Sequence, residues 1–378
     1  MMKKKCILLA FMFFQIGFCW SQSSELTVML KGSKSPDKIN ITKNIQYNST
    51  YKFDLYQPVR PYDSTLIIIM NGFGDPNQKN ADYQIAWAKF LAEDGINAIT
   101  FESHREDVAG DFDALIQHIQ QNATKYSIDP EKIGIIAFSG NVVNSLPIIT
   151  DAKRTAIKSA IIYYGYGKVT DYRLDLPMFF VRSGLDNINL NKNLDTLLAK
   201  GLAHNAPWTI HNHPSGHHPF EFSDPEDVSI QVLKNTLAFV HQTTTKKYRA
   251  TLADKMLETK AGTALYTNNW KDAILYYDQI TKKVPAADNF LKLGNAYYGG
   301  GNYMDALHAF DASLAKGEFR LRDLCIPATL AAAKLKNKDL LLKWATLLAK
   351  APGGKYFLKT TAEFSFMHED ASWNDLLK

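Results

Sequence analysis

The sequence is most constrained at an apolar run that ends abruptly in a serine and a glycine. Residues Ile133–Phe138 carry no charge, and Ser139 and Gly140 follow at once. A run of this length and composition is typical of a strand that is buried on both faces of a parallel sheet. A sharp turn from such a strand into a helix holds a hydroxyl at the edge of the sheet, with the next backbone N–H beside it. The segment therefore predicts a nucleophile at Ser139.

Strands and helices alternate along the chain from about Leu26 to Val240. Apolar β-branched runs such as Leu66–Met70 predict strands, and amphipathic stretches such as Phe112–Ala123 predict the helices between them. This order indicates a mostly parallel sheet flanked by helices and joined by right-handed crossovers. We predict an α/β domain over residues 25–243.

Residues suited to acid–base chemistry follow Ser139 in the chain. Asp186 comes shortly after the predicted strand Met178–Val181, where a loop carboxylate can orient an imidazole; capping of the following helix is the alternative role. A cluster of histidines then follows the last predicted strand: His211, His213, His217 and His218. The order of serine, aspartate and histidine is that of a catalytic triad on a parallel sheet. A zinc site is an alternative for the cluster, but no cysteine supports it, and we predict no metal.

A serine nucleophile also needs hydrogen-bond donors for the oxyanion that develops. The Gly140 N–H is one predicted donor. The loop Asn71–Gly74 resembles the His-Gly-x-Gly loop that follows the corresponding strand in α/β-hydrolases, with asparagine in place of histidine. By that match the Phe73 N–H is the second donor, and a plain glycine turn is the alternative.

Residues 51–221 resemble the dienelactone hydrolase and acyl-esterase branch of the α/β-hydrolase fold. The segments that carry the resemblance are Phe53–Pro58, Phe90–Gly95, Ile128–Ile133 and Pro177–Phe180. The resemblance implies a serine hydrolase that acts on a small-molecule or polymer-linked carboxylic ester, with neither a metal nor an organic cofactor. His218–Glu221 is similar to the His-x-Phe-Asp stretch of these esterases, so His218 is the preferred base. Gly216 and His217 resemble a pair common in the wider fold, so His217 is the alternative.

Two departures from the pattern bear on activity. Asn141 replaces a glycine that usually lets helix and strand approach, so we expect the turn to open slightly or to keep Asn141 at its edge. Pro147 is expected to interrupt and kink the following helix, because it removes a backbone hydrogen bond. An inactive core that works as a binding protein through the C-terminal helices is therefore a competing hypothesis. A serine peptidase is another, since the prolyl oligopeptidase family shares this core.

Residues that directly follow predicted strands are candidate walls of the site, at the carboxyl edge of the sheet. They are Phe73, Glu102, His104, Arg105, Asn141, Tyr164 and Tyr166. The short spacings between Ser139, Asp186 and His218 leave little chain for a lid, so an open site is expected.

Beyond about Thr243 the strand pattern stops. Aromatic and small residues in Trp270–Tyr277 recur at matching places in Tyr303–Phe310. This resembles the tetratricopeptide repeat, in which small residues let paired helices pack closely. We predict a tetratricopeptide-like helical domain over residues 249–378, with a protein partner as a candidate ligand. A plain helical extension is the alternative.

The N-terminus has the composition of an export signal. Lys3–Lys5 precede the apolar run Cys6–Phe14, and Ser21 offers a small residue at a cleavage point. We predict a signal peptide over residues 1–21 and a secreted or periplasmic protein that is not held at a membrane after cleavage; a membrane anchor is the alternative. Removal of the segment leaves Cys325 and a nearly balanced charge, so neither an internal disulfide nor a nucleic-acid partner is expected.

Overall fold

The computed structural model describes residues 36–61, 64–317 and 321–378. The predicted signal peptide, residues 1–21, lies outside the described residues. A single sheet of eight strands is found in these ranges: β1 Ile39–Gln46, β2 Lys52–Pro58, β3 Leu66–Ile69, β4 Asn97–Phe101, β5 Ile133–Phe138, β6 Ile157–Tyr163, β7 Met178–Ser183 and β8 Trp208–His213. None of the helices in the described ranges combines the length and the apolar character needed to cross a membrane.

The strands lie in the order β1-β2-β4-β3-β5-β6-β7-β8. β2 runs antiparallel to its neighbours β1 and β4, and the pairings from β4 to β8 are parallel. Parallel neighbours require long crossover connections, and helices supply most of them. The predicted fold class is thus confirmed for the sheet. The carboxyl ends of β3, β5, β7 and β8 meet at one edge, which brings together the loops that carry the predicted site.

Six α-helices accompany the sheet in the described part of the chain. They are α1 Asp82–Glu93, α2 Val108–Gln121, α3 Asn141–Thr150, α4 Ile188–Ala203, α5 Phe220–Ser223 and α6 Asp227–Thr243. Alternate residues of the central strands pack against different helices: Ile68 and Ile135 lie in one buried cluster with residues of α2, α3 and α4. Ile67 and Ile136 lie in a second cluster with residues of α1, α5 and α6. Burial on both faces explains why these strands are apolar at every position.

Pro147 does not interrupt the helix that follows Ser139. The helix α3 continues through it to Thr150. A proline at this position removes the bond that an N–H would donate to the Val143 carbonyl. Leu146 and Ile149 beside it are fully buried against the sheet, so packing offsets the lost hydrogen bond.

The described chain after α6 contains helices and their connecting turns. The α-helices are α7 Lys246–Tyr266, α8 Trp270–Lys283, α9 Ala287–Gly299, α10 Tyr303–Lys316, α11 Leu321–Lys334, α12 Lys338–Ala349, α13 Gly354–Thr360 and α14 Ala371–Leu377. A Cβ atom at Gly294 would lie 2.4 Å from the Phe310 ring, so α9 and α10 are in close contact. The predicted all-helical region is confirmed, whereas its tetratricopeptide character and the boundary between 243 and 249 stay predictions.

Candidate active site

Ser139 occupies a sharp turn between β5 and α3. Its φ angle is +50°, a left-handed conformation that is uncommon for a residue with a Cβ atom. The Ser139 N–H donates to the Tyr163 carbonyl (3.0 Å), and the Ser139 carbonyl accepts from the Val142 N–H (3.0 Å). These bonds tie the turn to β6 and to α3, and such support is what allows a strained backbone to persist. The turn has the geometry expected of a nucleophile elbow.

Asn141 lies at the edge of this turn, which is one of the two arrangements expected from the sequence. It is the first residue of α3 and is 3% exposed. Gly72 packs against its backbone, since a Cβ atom at Gly72 would lie 2.2 Å from the Asn141 carbonyl oxygen. The Asn141 side chain accepts from the Phe73 N–H through Oδ1 (3.2 Å) and donates to Tyr83 Oη through Nδ2 (3.3 Å).

The two predicted oxyanion donors, Phe73 and Gly140, lie next to each other. A Cβ atom at Gly140 would lie 2.7 Å from Phe73 Cζ, so the phenyl ring packs on the backbone just after Ser139. The Phe73 N–H is directed at the first residue of α3, because Asn141 accepts its hydrogen bond. Gly74 has a φ angle of +61° and contacts the backbone of Arg105, which holds the loop close to the end of β4.

The predicted acid and the preferred base form a hydrogen-bonded pair. Asp186 follows β7, and its Oδ2 lies 2.6 Å from His218 Nδ1. The Asp186 side chain is 6% exposed and the His218 side chain is 27% exposed. A carboxylate at Nδ1 places the ring proton there and leaves Nε2 free to accept a proton. His218 and Ser139 line the same cavity.

His217, the alternative base, faces a different carboxylate. Its backbone N–H donates to Asp224 Oδ2 (2.6 Å), and its Nδ1 lies 3.1 Å from the same oxygen. The His217 side chain is 62% exposed and is not among the residues that line the cavity with Ser139. The geometry therefore favours His218 as the base.

The remaining two histidines of the cluster contact residues of α6 and do not line the cavity. His213 is fully buried and its Nε2 lies 2.7 Å from Ser229 Oγ, while His211 Nδ1 contacts Asn235. Over residues 36–61, 64–317 and 321–378, no group of three or more histidine, cysteine, aspartate or glutamate side chains is placed to hold a metal ion.

The cavity beside Ser139 has a volume of about 550 Å³. Aromatic side chains form much of its wall, namely those of Phe73, Tyr83, Phe138, Tyr164 and Phe222. Three carboxamides, from Asn77, Gln78 and Asn141, supply polar groups. The predicted wall residues Glu102, His104, Arg105 and Tyr166 do not line it. Two of these form contacts of their own: Glu102 with the backbone of Lys52, and His104 with the buried carboxylate of Asp111.

Sequence reasoning missed a buried pair behind His218. Tyr164 follows β6 with a φ angle of +34°, and its ring centre lies 4.3 Å from that of His218. Its hydroxyl donates to Oε1 of Glu221, which is fully buried. Burial raises the pKa of Glu221 to about 7, and the bond from Tyr164 only partly opposes this rise. The available signal was a glutamate three positions after the base, within an aromatic stretch.

We expect Glu221→Gln to gain stability relative to wild type as the pH rises. Folding raises the pKa of Glu221 from 4.5 to about 7, so the folded state holds this proton more tightly than the unfolded state does. The wild-type protein therefore loses stability as the pH rises through that window, by up to about 3 kcal/mol. Glutamine does not ionise and escapes this loss. Urea unfolding of both proteins, below about pH 5 and near pH 8, measures the difference; an equal difference at both pH values would contradict the expectation.

The known proteins found to be similar to this chain are solved structures. No family model matches the chain, and no curated protein matches it. Similar solved structures include a bacterial heroin esterase, with 14% identity and a TM-score of 0.46 over 58% of this chain and 88% of that chain. An α/β-hydrolase enzyme from a Medee basin deep-sea metagenome library has 18% identity and a TM-score of 0.44 over 55% and 98%. A truncated carbohydrate esterase from gut microbiota has 18% identity and a TM-score of 0.43 over 56% and 99%.

The strand order, with β2 reversed, and a serine in a strained turn between β5 and α3 define an α/β-hydrolase fold. A helical region follows this fold in the chain.

Proposed function

We propose that this protein is a serine hydrolase that cleaves carboxylic esters through an acyl-enzyme. The observation that carries the proposal is the pair formed by His218 and Asp186, whose imidazole lines the same cavity as Ser139 in its strained turn. A buried carboxylate that orients an imidazole toward a serine is the arrangement that makes a hydroxyl nucleophilic at neutral pH.

In the first half of the proposed reaction, Ser139 Oγ attacks the ester carbonyl carbon while His218 Nε2 takes the hydroxyl proton. The carbonyl π electrons move to the oxygen, and the Phe73 and Gly140 N–H groups donate to the oxyanion. Asp186 stabilises the imidazolium. Collapse of the tetrahedral intermediate breaks the bond to the alkoxy oxygen, which leaves as an alcohol with the proton from His218.

The second half repeats these steps with water. His218 removes a proton from water, whose oxygen attacks the acyl carbon. Collapse breaks the bond to Ser139 Oγ, which regains its proton from His218, and the carboxylic acid is released.

For the substrate, we propose small-molecule or polymer-linked esters and a place near the dienelactone hydrolase and acyl-esterase branch. The cavity supports this because its aromatic wall suits an apolar acyl or aryl group, while its carboxamides can bind polar substituents. In addition, α3, α4 and the strands β6 to β8 take up most of the chain between Ser139 and His218. Little chain is therefore left for a lid, and an open site accommodates an ester carried on a larger molecule.

Labelling with a fluorophosphonate probe tests the proposed function, because the probe reports a serine activated by a base and an oxyanion hole. We expect the wild-type protein to be labelled and Ser139→Ala to remain unlabelled. Ser215→Ala is the matched control, since its hydroxyl lies in the same histidine loop but donates to Glu226; it should label like wild type. Folded wild-type protein that takes up no probe would refute the proposal.

An inactive core is the second candidate, and one observation favours it. The Phe73 N–H already has an acceptor in Asn141, so one predicted oxyanion donor is occupied in the absence of substrate. The labelling experiment separates the two functions, because an inactive core would not react with the probe although its serine is present.

We also propose an export signal over residues 1–21, a secreted or periplasmic location, a catalytic domain over 25–243 and a tetratricopeptide-like domain over 249–378 that binds a protein partner. Close contacts between α9 and α10 support the helical repeats. N-terminal sequencing of the exported protein tests the signal, since a start at Met1 would contradict cleavage.

A further inference from the structure

The Asn141 side chain bridges two groups of the candidate active site. Its Oδ1 accepts from the Phe73 N–H at 3.2 Å, and its Nδ2 donates to Tyr83 Oη at 3.3 Å. A backbone N–H can only donate, so it requires the carboxamide oxygen and thereby determines which way the amide group points. The nitrogen must then face the Tyr83 hydroxyl.

This bridge lies where the oxyanion of the proposed reaction would form. Asn141 lines the cavity with Ser139 and His218. An oxyanion that accepts from Phe73 N–H would lie beside the Asn141 amide and compete with its Oδ1 for this donor. An ionised oxygen is a much stronger hydrogen-bond acceptor than a neutral amide oxygen, so it would displace Oδ1. If the amide kept its orientation, its oxygen would then face the negative charge and repel it.

Tyr83 lowers the free-energy cost of reversing the Asn141 amide group. The side-chain nitrogens of Asn141, Gln78 and Gln84 all lie within hydrogen-bond distance of the Tyr83 oxygen, which has two lone pairs and accepts from two of them at a time. These bonds use the hydroxyl as an acceptor, and its own hydrogen remains available for donation. After a half-turn of the Asn141 amide, Tyr83 can donate to Oδ1 and the contact between the two residues is kept.

We propose that Asn141 is a catalytic residue that turns its amide over and donates through Nδ2 to the oxyanion, as a third donor beside the Phe73 and Gly140 N–H groups. This inference rests on the proposed serine hydrolase function. It explains how an asparagine at this position, where glycine is usual, is compatible with catalysis. Before substrate binds, the same side chain holds Phe73 N–H in place and satisfies it.

Asn141→Ala and Asn141→Asp test the inference on an activated ester and with the fluorophosphonate probe. Loss of one side-chain oxyanion donor lowers kcat by about 10²-fold, with little change in KM, because the donor acts mainly on the transition state. Asn141→Asp has the same shape but presents ionised oxygens, which would hold Phe73 N–H and repel the oxyanion. We expect it to be the slower of the two variants in turnover and in labelling.

Asn144→Ala is the matched control. Asn144 lies on the same helix and also contacts the oxyanion loop, but it donates to the Gly72 carbonyl (2.8 Å) and not to the predicted oxyanion site. It should keep kcat near the wild-type value. Equal losses in Asn141→Ala and Asn144→Ala would show that Asn141 only supports the loop and would overturn the inference, as would wild-type kcat in Asn141→Ala.

The outcomes also separate this inference from the function on which it rests. If the wild-type protein reacts with the probe, and both Asn141→Ala and Asn141→Asp react at the wild-type rate, the serine hydrolase function stands and the role of Asn141 is refuted. If folded wild-type protein does not react, both are refuted. The isosteric aspartate variant keeps the test decisive should the alanine variant fail to fold.

Discussion

Ser139→Ala is expected to lower kcat/KM for an activated ester by about 10⁴-fold or more, and adding His218→Ala should lower it little further. In the proposed reaction the serine supplies the nucleophile and the histidine removes its proton, so neither residue contributes without the other. Loss of either residue should therefore remove nearly the whole contribution of both. Steady-state rates of the two single variants and the double variant measure this directly.

Additive losses would contradict this expectation. If the double variant lost the product of the two single factors, Ser139 and His218 would be acting independently. A Ser139→Ala variant with the wild-type rate would show that the turnover measured does not use this serine at all.

Asp186→Asn is expected to lower kcat by about 10⁴-fold while the protein remains folded. The carboxylate oxygen Oδ2 lies 2.6 Å from His218 Nδ1 and accepts a hydrogen bond from it, and this favours the tautomer in which Nε2 can act as a base. An asparagine that turns its NH₂ group toward Nδ1 favours the opposite tautomer, in which Nε2 carries the proton. It also removes the charge that stabilises the imidazolium.

Asp224→Asn provides the matched control, because Asp224 forms the equivalent contact with the neighbouring His217. The His217 side chain is exposed and lies outside the cavity, so kcat should stay close to the wild-type value. A large loss in Asp224→Asn together with a small loss in Asp186→Asn would identify His217 as the base.

The sheet could be predicted because burial leaves a pattern in neighbouring residues. Leu66–Ile69 and Ile133–Phe138 are apolar at every position, and the structure buries them on both faces. The turn at Ser139 was recognisable because the apolar run ends abruptly in serine and glycine, and Asp186 and the histidines follow in the order of a triad. Asp186 could be located because it follows a strand by a short turn.

The consequences of Asn141 and Pro147 could not be predicted, because each depends on what packs around it. Gly72, distant in the chain, packs directly against the Asn141 carbonyl. Buried neighbours on α3 stabilise the helix at Pro147 despite the missing N–H. A local rule describes what a residue does to its own backbone, and here contacts from other elements decided the outcome.

The sequence by itself determined the order of the strands from β2 to β8 and of the longer helices between them, the all-helical character of the C-terminal region and the chain positions of Ser139 and Asp186, but not β1. These follow from the spacing of apolar residues and from the residues that permit turns. Only the tertiary structure decided that His218 and not His217 meets Asp186, that Asn141 bridges Phe73 and Tyr83, and that Glu221 is buried behind the base. Adjacent side chains on a loop point in different directions, and their partners come from remote parts of the chain, so the spacing of apolar residues does not show these contacts.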